Sequence, residues 1–428
     1  MNEFGLRFKV PDNLSEKDAK RFFYWPSSGQ GSFQTDLTPR LAALGPVAAL
    51  NADFARLAVL VYAADRSVIR ARGSVNWTAR DLTITVPVSD PDAWTSVLKR
   101  ITFALGFLSG DNWTINFTRG VVPKETATKN QNPSAEKVVL LSGGADSAAG
   151  ALLARTGASD HILVSHFGGN GIGPGQRHIA GEIQRLLPEG SAQQHLQVGF
   201  WRRKAQPNGT AFKSENSTRT RSLLFLALGL AVASINGVPL WIPENGFASL
   251  NPPMGADQFG SISTKTTHPW FLRELEEILT TVEAQGIIIN PFAAMTKGEM
   301  FRWVGNILGA PDASVFLSAT ESCGFTNKRF WGVGRFDHCG TCFGCLLRRA
   351  SFAAAGINDT STYAVDHPPS QRAAEVLQMN SLLPSIRAYV ARGIRVADVA
   401  AMRLPSGYSP SAAFDLCRRG AAELEGLV

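Results

Sequence analysis

Cysteine is scarce here, with five residues in 428, and four of the five lie between Cys323 and Cys345. That rules out a disulfide framework as the organising device and turns the cluster into a metal question. No apolar run reaches the ~18 residues that a membrane-spanning helix needs. The longest, Leu223 to Ala233 with its flanks, contains Gly229 and reads as a buried helix. Met1-Asn-Glu-Phe-Gly-Leu-Arg lacks the basic-then-apolar layout of a secretory signal, so the expected location is cytoplasmic, with no membrane partner. No Gly-Lys-[Ser/Thr] stands at Walker spacing, which excludes the P-loop class. Internal repeats and low-complexity tracts are absent as well.

What is present describes an ordinary globular protein, 44% hydrophobic and 18% charged, with room for two or three domains. The net charge of +7 and the basic isoelectric point of 9.3 favour anionic ligands: nucleotides, RNA or an acidic partner.

Residues 1–133 read as an N-terminal α+β domain, suited either to packing or to docking a partner. Strand-like runs are Ala55–Ala63, Leu82–Val88 and Trp113–Phe117, and an amphipathic helix is expected from Asp92 to about Leu108. The polar, proline-bounded stretch Pro123 to Pro133 makes the linker. In residues 134–365 strands and helices alternate: Ile162–His166, Gln176–Leu187, Arg221–Ala233, Leu240–Pro243, Trp270–Ala284 and Ile287–Asn290. The expected fold class is therefore α/β, a doubly wound parallel sheet with helices on both faces. Residues 366–428 read as a proline-punctuated helical extension carrying Arg387, Arg392 and Arg395.

Two segments carry chemistry. Lys137-Val-Val-Leu-Leu-Ser-Gly-Gly-Ala-Asp-Ser147 is a strand, a glycine turn and a helix start. That geometry presents backbone N–H groups to an anion, and Ser142, Ser147 and Asp146 add two hydroxyls and a carboxylate able to face Mg²⁺. The bland alternative is a glycine turn that binds nothing. Cys339-Gly-Thr-Cys342-Phe-Gly-Cys345, with Cys323 sixteen positions upstream, supplies four thiolates for a closed, structural Zn²⁺ shell within residues 320–350. An iron–sulfur cluster is the rival, His338 is an alternative ligand, and Cys417 stands apart. The run Gly168 to Gly175 fails the dinucleotide fingerprint at Pro174 and reads as a lid or hinge.

Ser142-Gly-Gly-Ala-Asp-Ser147 resembles the PP-loop of the ATP pyrophosphatases, which implies an adenine nucleotide alpha hydrolase-like fold. Gly175-Gln-Arg-His178, Arg221-Ser-Leu-Leu-Phe-Leu226, Lys297-Gly-Glu299 and the cysteine module ending at Arg348 follow in the order seen in 7-cyano-7-deazaguanine synthases (QueC). The resemblance spans Lys137 to Ile357. It implies ATP, Mg²⁺ and structural Zn²⁺ as cofactors, with release of AMP and pyrophosphate. Ser142, Gly143, Gly144, Asp146 and Ser147 would hold phosphates, and the chain at Phe167 would receive adenine. Lys297 and Arg221 would neutralise charge, while Gln176, Arg177 and Glu244 would address a deazaguanine-type substrate.

Two departures stand out. Ser222 replaces an asparagine, and Glu244-Asn-Gly-Phe-Ala-Ser-Leu-Asn-Pro-Pro253 replaces an acidic, cysteine-containing stretch. With the added first 130 residues, the layout resembles the longer QatC branch found in bacterial anti-phage Qat operons. That favours a C–N ligase passing the activated acyl group to a partner-protein amine. The alternatives are transfer to ammonia, a non-catalytic nucleotide-binding scaffold and, ranked last, a tRNA thiolase with a nucleic-acid partner. A homo-oligomer is compatible with all of these.

Overall fold

The computed structural model describes every residue except 1, 71–78, 121–122, 124–126, 169–170, 216–218, 255–264, 326–327, 335–336 and 428. Part of the expected linker, and residues 169–170 of the expected lid, lie outside the described residues. Among the described residues the strands are β1 (Asn2–Arg7), β2 (Phe22–Tyr24), β3 (Phe33–Thr35), β4 (Asp81–Val88) and β5 (Asn112–Arg119), then β6 (Lys137–Leu140), β7 (His161–Phe167), β8 (Gln193–Arg202), β9 (Leu240–Trp241) and β10 (Ile288–Ile289).

They form two sheets. The first has the order β2-β1-β4-β5 and is parallel throughout. The second has the order β10-β9-β6-β7-β8-β3 and is parallel except for β3, which runs against β8. The first 133 residues thus contribute an edge strand to the second sheet.

Alternation explains how β6 is held. Val138 and Leu140 enter one apolar cluster while Val139 and Leu141 enter another, as a pleated strand buried on both faces requires. The first cluster holds helix Arg221–Asn236, which in turn meets helix Ala49–Ser67, and that helix touches β1 and β4 with its other side. Helices Ala145–Thr156 and Lys297–Leu308 cover the opposite face. The C-terminal helices from Leu383–Arg392 to Pro410–Glu425 build a further cluster around Leu346, Leu347 and Phe247, while Leu377 of helix Gln371–Met379 packs beside the cysteines.

One expected strand is corrected: Ala55–Ala63 lies inside helix Ala49–Ser67. This run is buried between a sheet and a helix, so it is apolar all round. Neither a period of 2 nor one of 3.6 shows, and only its length favours a helix. Strand β8 had no expectation at all, because Gln193, Gln194, His195 and Gln197 mask the apolar alternation of Leu196, Val198 and Phe200. The connection reverses direction at β6: β7 and β8 run off on one side, β9 and β10 on the other. That places a crevice beyond the carboxyl ends of β6 and β9.

Candidate active site

The loop after β6 fills this crevice. Gly143 has φ +93°, a left-handed conformation that favours glycine, and Gly144 is the N-cap of helix Ala145–Thr156 with no side-chain cap. The Ser147 hydroxyl braces the loop from inside. It accepts from the Ser142 amide at 3.1 Å and donates to the Gly144 carbonyl at 2.9 Å. Gln176 braces it from below, its Nε2 donating to the Ser142 and His166 carbonyls at 3.2 and 3.0 Å. The amides of Gly143, Ala145, Asp146 and Ser147 have no partner among the described residues. Four unspent donors at the positive end of a helix dipole suit a phosphate group.

Beside the loop, Asp146 meets Lys297, the first residue of helix Lys297–Leu308. Thr296 and Glu299 close a capping box around that helix start (3.2 and 2.9 Å). Both partners of the pair are nearly buried, with side-chain exposures of 6% for Lys297 and 13% for Asp146. Asn245 adds two donors to Asp146, its backbone N at 3.0 Å and its Nδ2 at 2.8 Å. Burial acts to raise the Asp146 carboxyl. The Lys297 ammonium and the Asn245 donors outweigh it and hold the group below its ordinary range. Glu244 goes the other way: burial, then the Asp146 charge, push it well above the usual carboxylate range. Two neighbouring carboxyls are thereby driven apart, one toward the ionised form and one toward the protonated form.

The loop parts two cavities. The first, about 600 Å³, is lined by Asp146, Ser147, Glu244, Asn245 and Lys297, with Phe225 and Phe343 as apolar wall. The second, about 1020 Å³, is lined by Gly143, His178, Arg221, Lys328 and Arg329. Glu321 and Gly324 border both. Of the expected residues, Ser142, Gly144, Asp146, Ser147, Lys297 and Glu244 share the first cavity. Arg221 is exposed, its side chain makes no hydrogen bond among the described residues, and it faces the second. Three others line neither cavity. Gln176 is fully buried with its amide spent on the loop, and Arg177 donates to Gln197. The Phe167 ring packs over Gly199 and Trp201.

Sequence reasoning missed Asn245 and Glu321. Asn245 announces itself only as the N-cap of helix Gly246–Leu250, and its reach to Asp146 depends on β9 lying beside β6. Glu321 gives its amide to the Gly143 carbonyl at 2.9 Å, for which no local signal exists.

The cysteine module abuts the same loop. The four Sγ atoms of Cys323, Cys339, Cys342 and Cys345 lie within 4.8 Å of one another, with Cys339 and Cys345 3.7 Å apart. A tetrahedron of 2.3 Å zinc–sulfur bonds has edges of about 3.8 Å, so the donors fit a single ion better than a multi-metal cluster. Backbone amides of Gly324, Cys339, Thr341 and Cys342 point at the sulfurs from 3.3–3.4 Å, which favours thiolates. Fully buried Arg348 ties the module to Thr320, Leu317 and Ser361. His338 stays outside the four-sulfur set, and Cys417 is buried in the C-terminal cluster. Among the described residues, no helix is long and apolar enough to cross a membrane.

Fold and site together define an α/β protein with a parallel sheet, a glycine loop at its switch point that is a candidate anion site, and a four-cysteine module beside it. No family model matches the chain. It is similar to 7-cyano-7-deazaguanine synthases of three bacteria. The one from Anaeromyxobacter sp. (strain Fw109-5) is 30% identical over 260 residues, covering 54% of this chain and 98% of the relative. Those of Dechloromonas aromatica (strain RCB) and Thiobacillus denitrificans (strain ATCC 25259 / T1) are each 28% identical, covering 53% of this chain and 97% of the relative. The chain belongs to the 7-cyano-7-deazaguanine synthase family and carries almost as much sequence again outside the match.

Proposed function

We propose that the protein uses ATP to activate the carboxylate of 7-carboxy-7-deazaguanine or a close analogue, and passes the acyl group to an amine. The observation that carries this reading is the set of four unspent loop amides beside a buried Lys297, in a chain whose relatives are named for a 7-deazaguanine product. In this reading a carboxylate oxygen attacks the α-phosphorus of ATP and pyrophosphate leaves. The amine nitrogen then attacks the acyl carbon, loses a proton and displaces AMP. The loop amides and the Ser142 and Ser147 hydroxyls hold pyrophosphate as preorganised donors. Lys297 and Arg221 offset charge that grows on the phosphates. Asp146 is the carboxylate suited to Mg²⁺, and the backbone at Phe167 is the place for adenine. Glu244, its carboxyl pushed toward the protonated form by burial and facing the first cavity, would donate to the heterocycle, and Arg177, outside both cavities, takes no part.

Two acceptors follow. Ammonia gives an amide; a second ATP then adenylates the amide oxygen, and loss of AMP and a proton leaves the nitrile, the product in the relatives' name. A partner-protein amine gives a deazaguanine–protein conjugate, as expected if the added segments and the altered 244–253 stretch place the chain in the QatC branch of anti-phage systems.

The test is AMP and pyrophosphate formation from ATP and Mg²⁺, with and without 7-carboxy-7-deazaguanine. The expected result is AMP only with the carboxylate, lower by about a hundredfold in Ser147→Ala. ATP bound without any AMP would favour the scaffold reading instead. Mass spectrometry of a co-expressed neighbour protein then separates the acceptors, since only conjugation shifts its mass.

A further inference from the structure

Two cations of the site, Arg221 and Lys297, each stand at the start of a helix, and each helix start also receives a carboxylate from outside the family-like region. Thr220, which precedes Arg221, has no side-chain cap of its own. Its amide and hydroxyl both donate to Asp65 Oδ2, at 3.2 and 2.9 Å. Asp65 comes from the N-terminal unit, near the end of helix Ala49–Ser67, and is fully buried. Its other oxygen is gripped by Arg80 and lies 3.5 Å from Arg70. Both arginines also clamp Asp111, each through an Nη2–Oδ2 contact of 2.7 Å. The Asp65 carboxylate therefore has no freedom to follow a moving helix; the helix must follow it.

At the other end of the chain, Glu423 of helix Pro410–Glu425 repeats the device. Its Oε1 accepts from the Thr296 hydroxyl and its Oε2 from the Gly298 amide at 2.9 Å. These two residues flank Lys297. A Cβ on Gly298 would lie 2.5 Å from Glu423 Oε1, so the residue must be glycine for the carboxylate to seat. Arg419, one turn earlier on the same helix, pairs with Glu299 of the capping box.

We infer that the segments outside the family match are positioning elements of the active site: Asp65 sets the Thr220–Arg221 turn and Glu423 sets the Thr296–Gly298 turn. A carboxylate at a helix N-terminus also stabilises that helix, so stability alone cannot tell the two roles apart. The distinguishing feature is that each cap is adjacent in sequence to a phosphate-directed cation. An error of about 1 Å in such a group can cost about a hundredfold in rate. The start of helix Arg221–Asn236 also presents Ser222, and one turn on Phe225, to the first cavity, so its placement shapes both.

This inference rests on the proposed role of Arg221 and Lys297 toward ATP, and the experiment keeps the two apart. Equilibrium binding of ATP with Mg²⁺ is measured on the full chain for Thr220→Val, Thr220→Ser, Glu423→Gln, Arg221→Ala and Lys297→Met, with melting temperatures in parallel. Thr220→Val, which leaves the Asp65–arginine cluster intact, should weaken ATP binding about fivefold, the worth of roughly one hydrogen bond. Thr220→Ser should restore it, and Thr220→Val should add nothing in an Arg221→Ala background. Glu423→Gln should behave likewise, with no further loss in a Lys297→Met background. If both cation variants weaken binding while Thr220→Val and Glu423→Gln lower only the melting temperature, the inference is overturned and the site reading stands. If ATP affinity ignores Arg221→Ala and Lys297→Met, the site reading falls and the inference with it.

Discussion

Two of the chain's turns from a parallel strand into a helix, after β4 and after β6, stand in contrast, and only the second is a candidate anion site. After β4, Asp90 caps helix Pro91–Ser96, its Oδ1 accepting from the amides of Asp92 and Ala93 at 3.1 and 3.2 Å. Pro91 has no N–H to offer, and the Ser89 amide is held by Asp53 at 2.9–3.0 Å. The amides of Ser89, Asp92 and Ala93 are thus spent on carboxylates, and the local charge is negative. After β6, the residue at the cap position is Gly144, which has no side chain with which to spend them. The nearby acid, Asp146, is paired with the Lys297 ammonium. A strand–turn–helix unit becomes a phosphate site through the residue at its cap; the architecture alone does not decide it.

The largest break of this comparison should come from the cysteine module, because it supports only one of the turns. Glu321, two residues from Cys323, holds the Gly143 carbonyl. Zinc analysis should return one ion per chain. Stripping it with a chelator should cost several kcal/mol of stability and abolish ATP binding, while hydrogen exchange at the β4 turn stays unchanged. Equal loosening of both turns would sink that view.

Next in size is an exchange of the caps. Gly144→Asp should weaken ATP binding by about a hundredfold, through donors spent and like charge added, with no loss of stability. The reciprocal Asp90→Ala should cost about 1 kcal/mol in chemical unfolding and leave ATP affinity alone. An unaltered affinity in Gly144→Asp would show that the loop amides are not the phosphate site.

The smallest effect sharpens the contrast between the carboxyls. Glu244 ionises at about 4.5 in the unfolded chain and well above that when folded. Its contribution to ligand-free stability is therefore complete below that value and lost as pH rises through the folded one. Asp146, shifted down from 3.8, acts oppositely: its contribution is complete above that value and lost only on acidification through the lower folded one. Unfolding measured against pH should thus show Glu244→Gln gaining on the parent protein from about pH 4.5 upward, and parallel curves would count against a protonated Glu244.

Much of the fold was legible because its patterns are local. The alternation of Leu82, Ile84 and Val86 marked β4, and the runs after Lys137 marked a parallel sheet. Helix Ala49–Ser67 misled because burial on all sides erases periodicity, and β8 hid because half its residues are polar. Within the site, Gln176 was recognisable as a motif residue. That it would sit under the loop, and outside the cleft, was not.

The Ser142–Ser147 loop and the cysteine knuckle follow from sequence by itself. Their geometry is settled within a few bonds, by a glycine that tolerates positive φ, a hydroxyl that folds back, and thiols two residues apart. Tertiary structure alone decided which charges meet. Asp146 pairs with Lys297 across 151 positions, Asn245 reaches Asp146 across 99, and Asp65 caps Thr220 across 155. Such pairs depend on strand order and on which helix faces stack, and those are set by burial summed over the whole chain, so no short stretch of sequence records them.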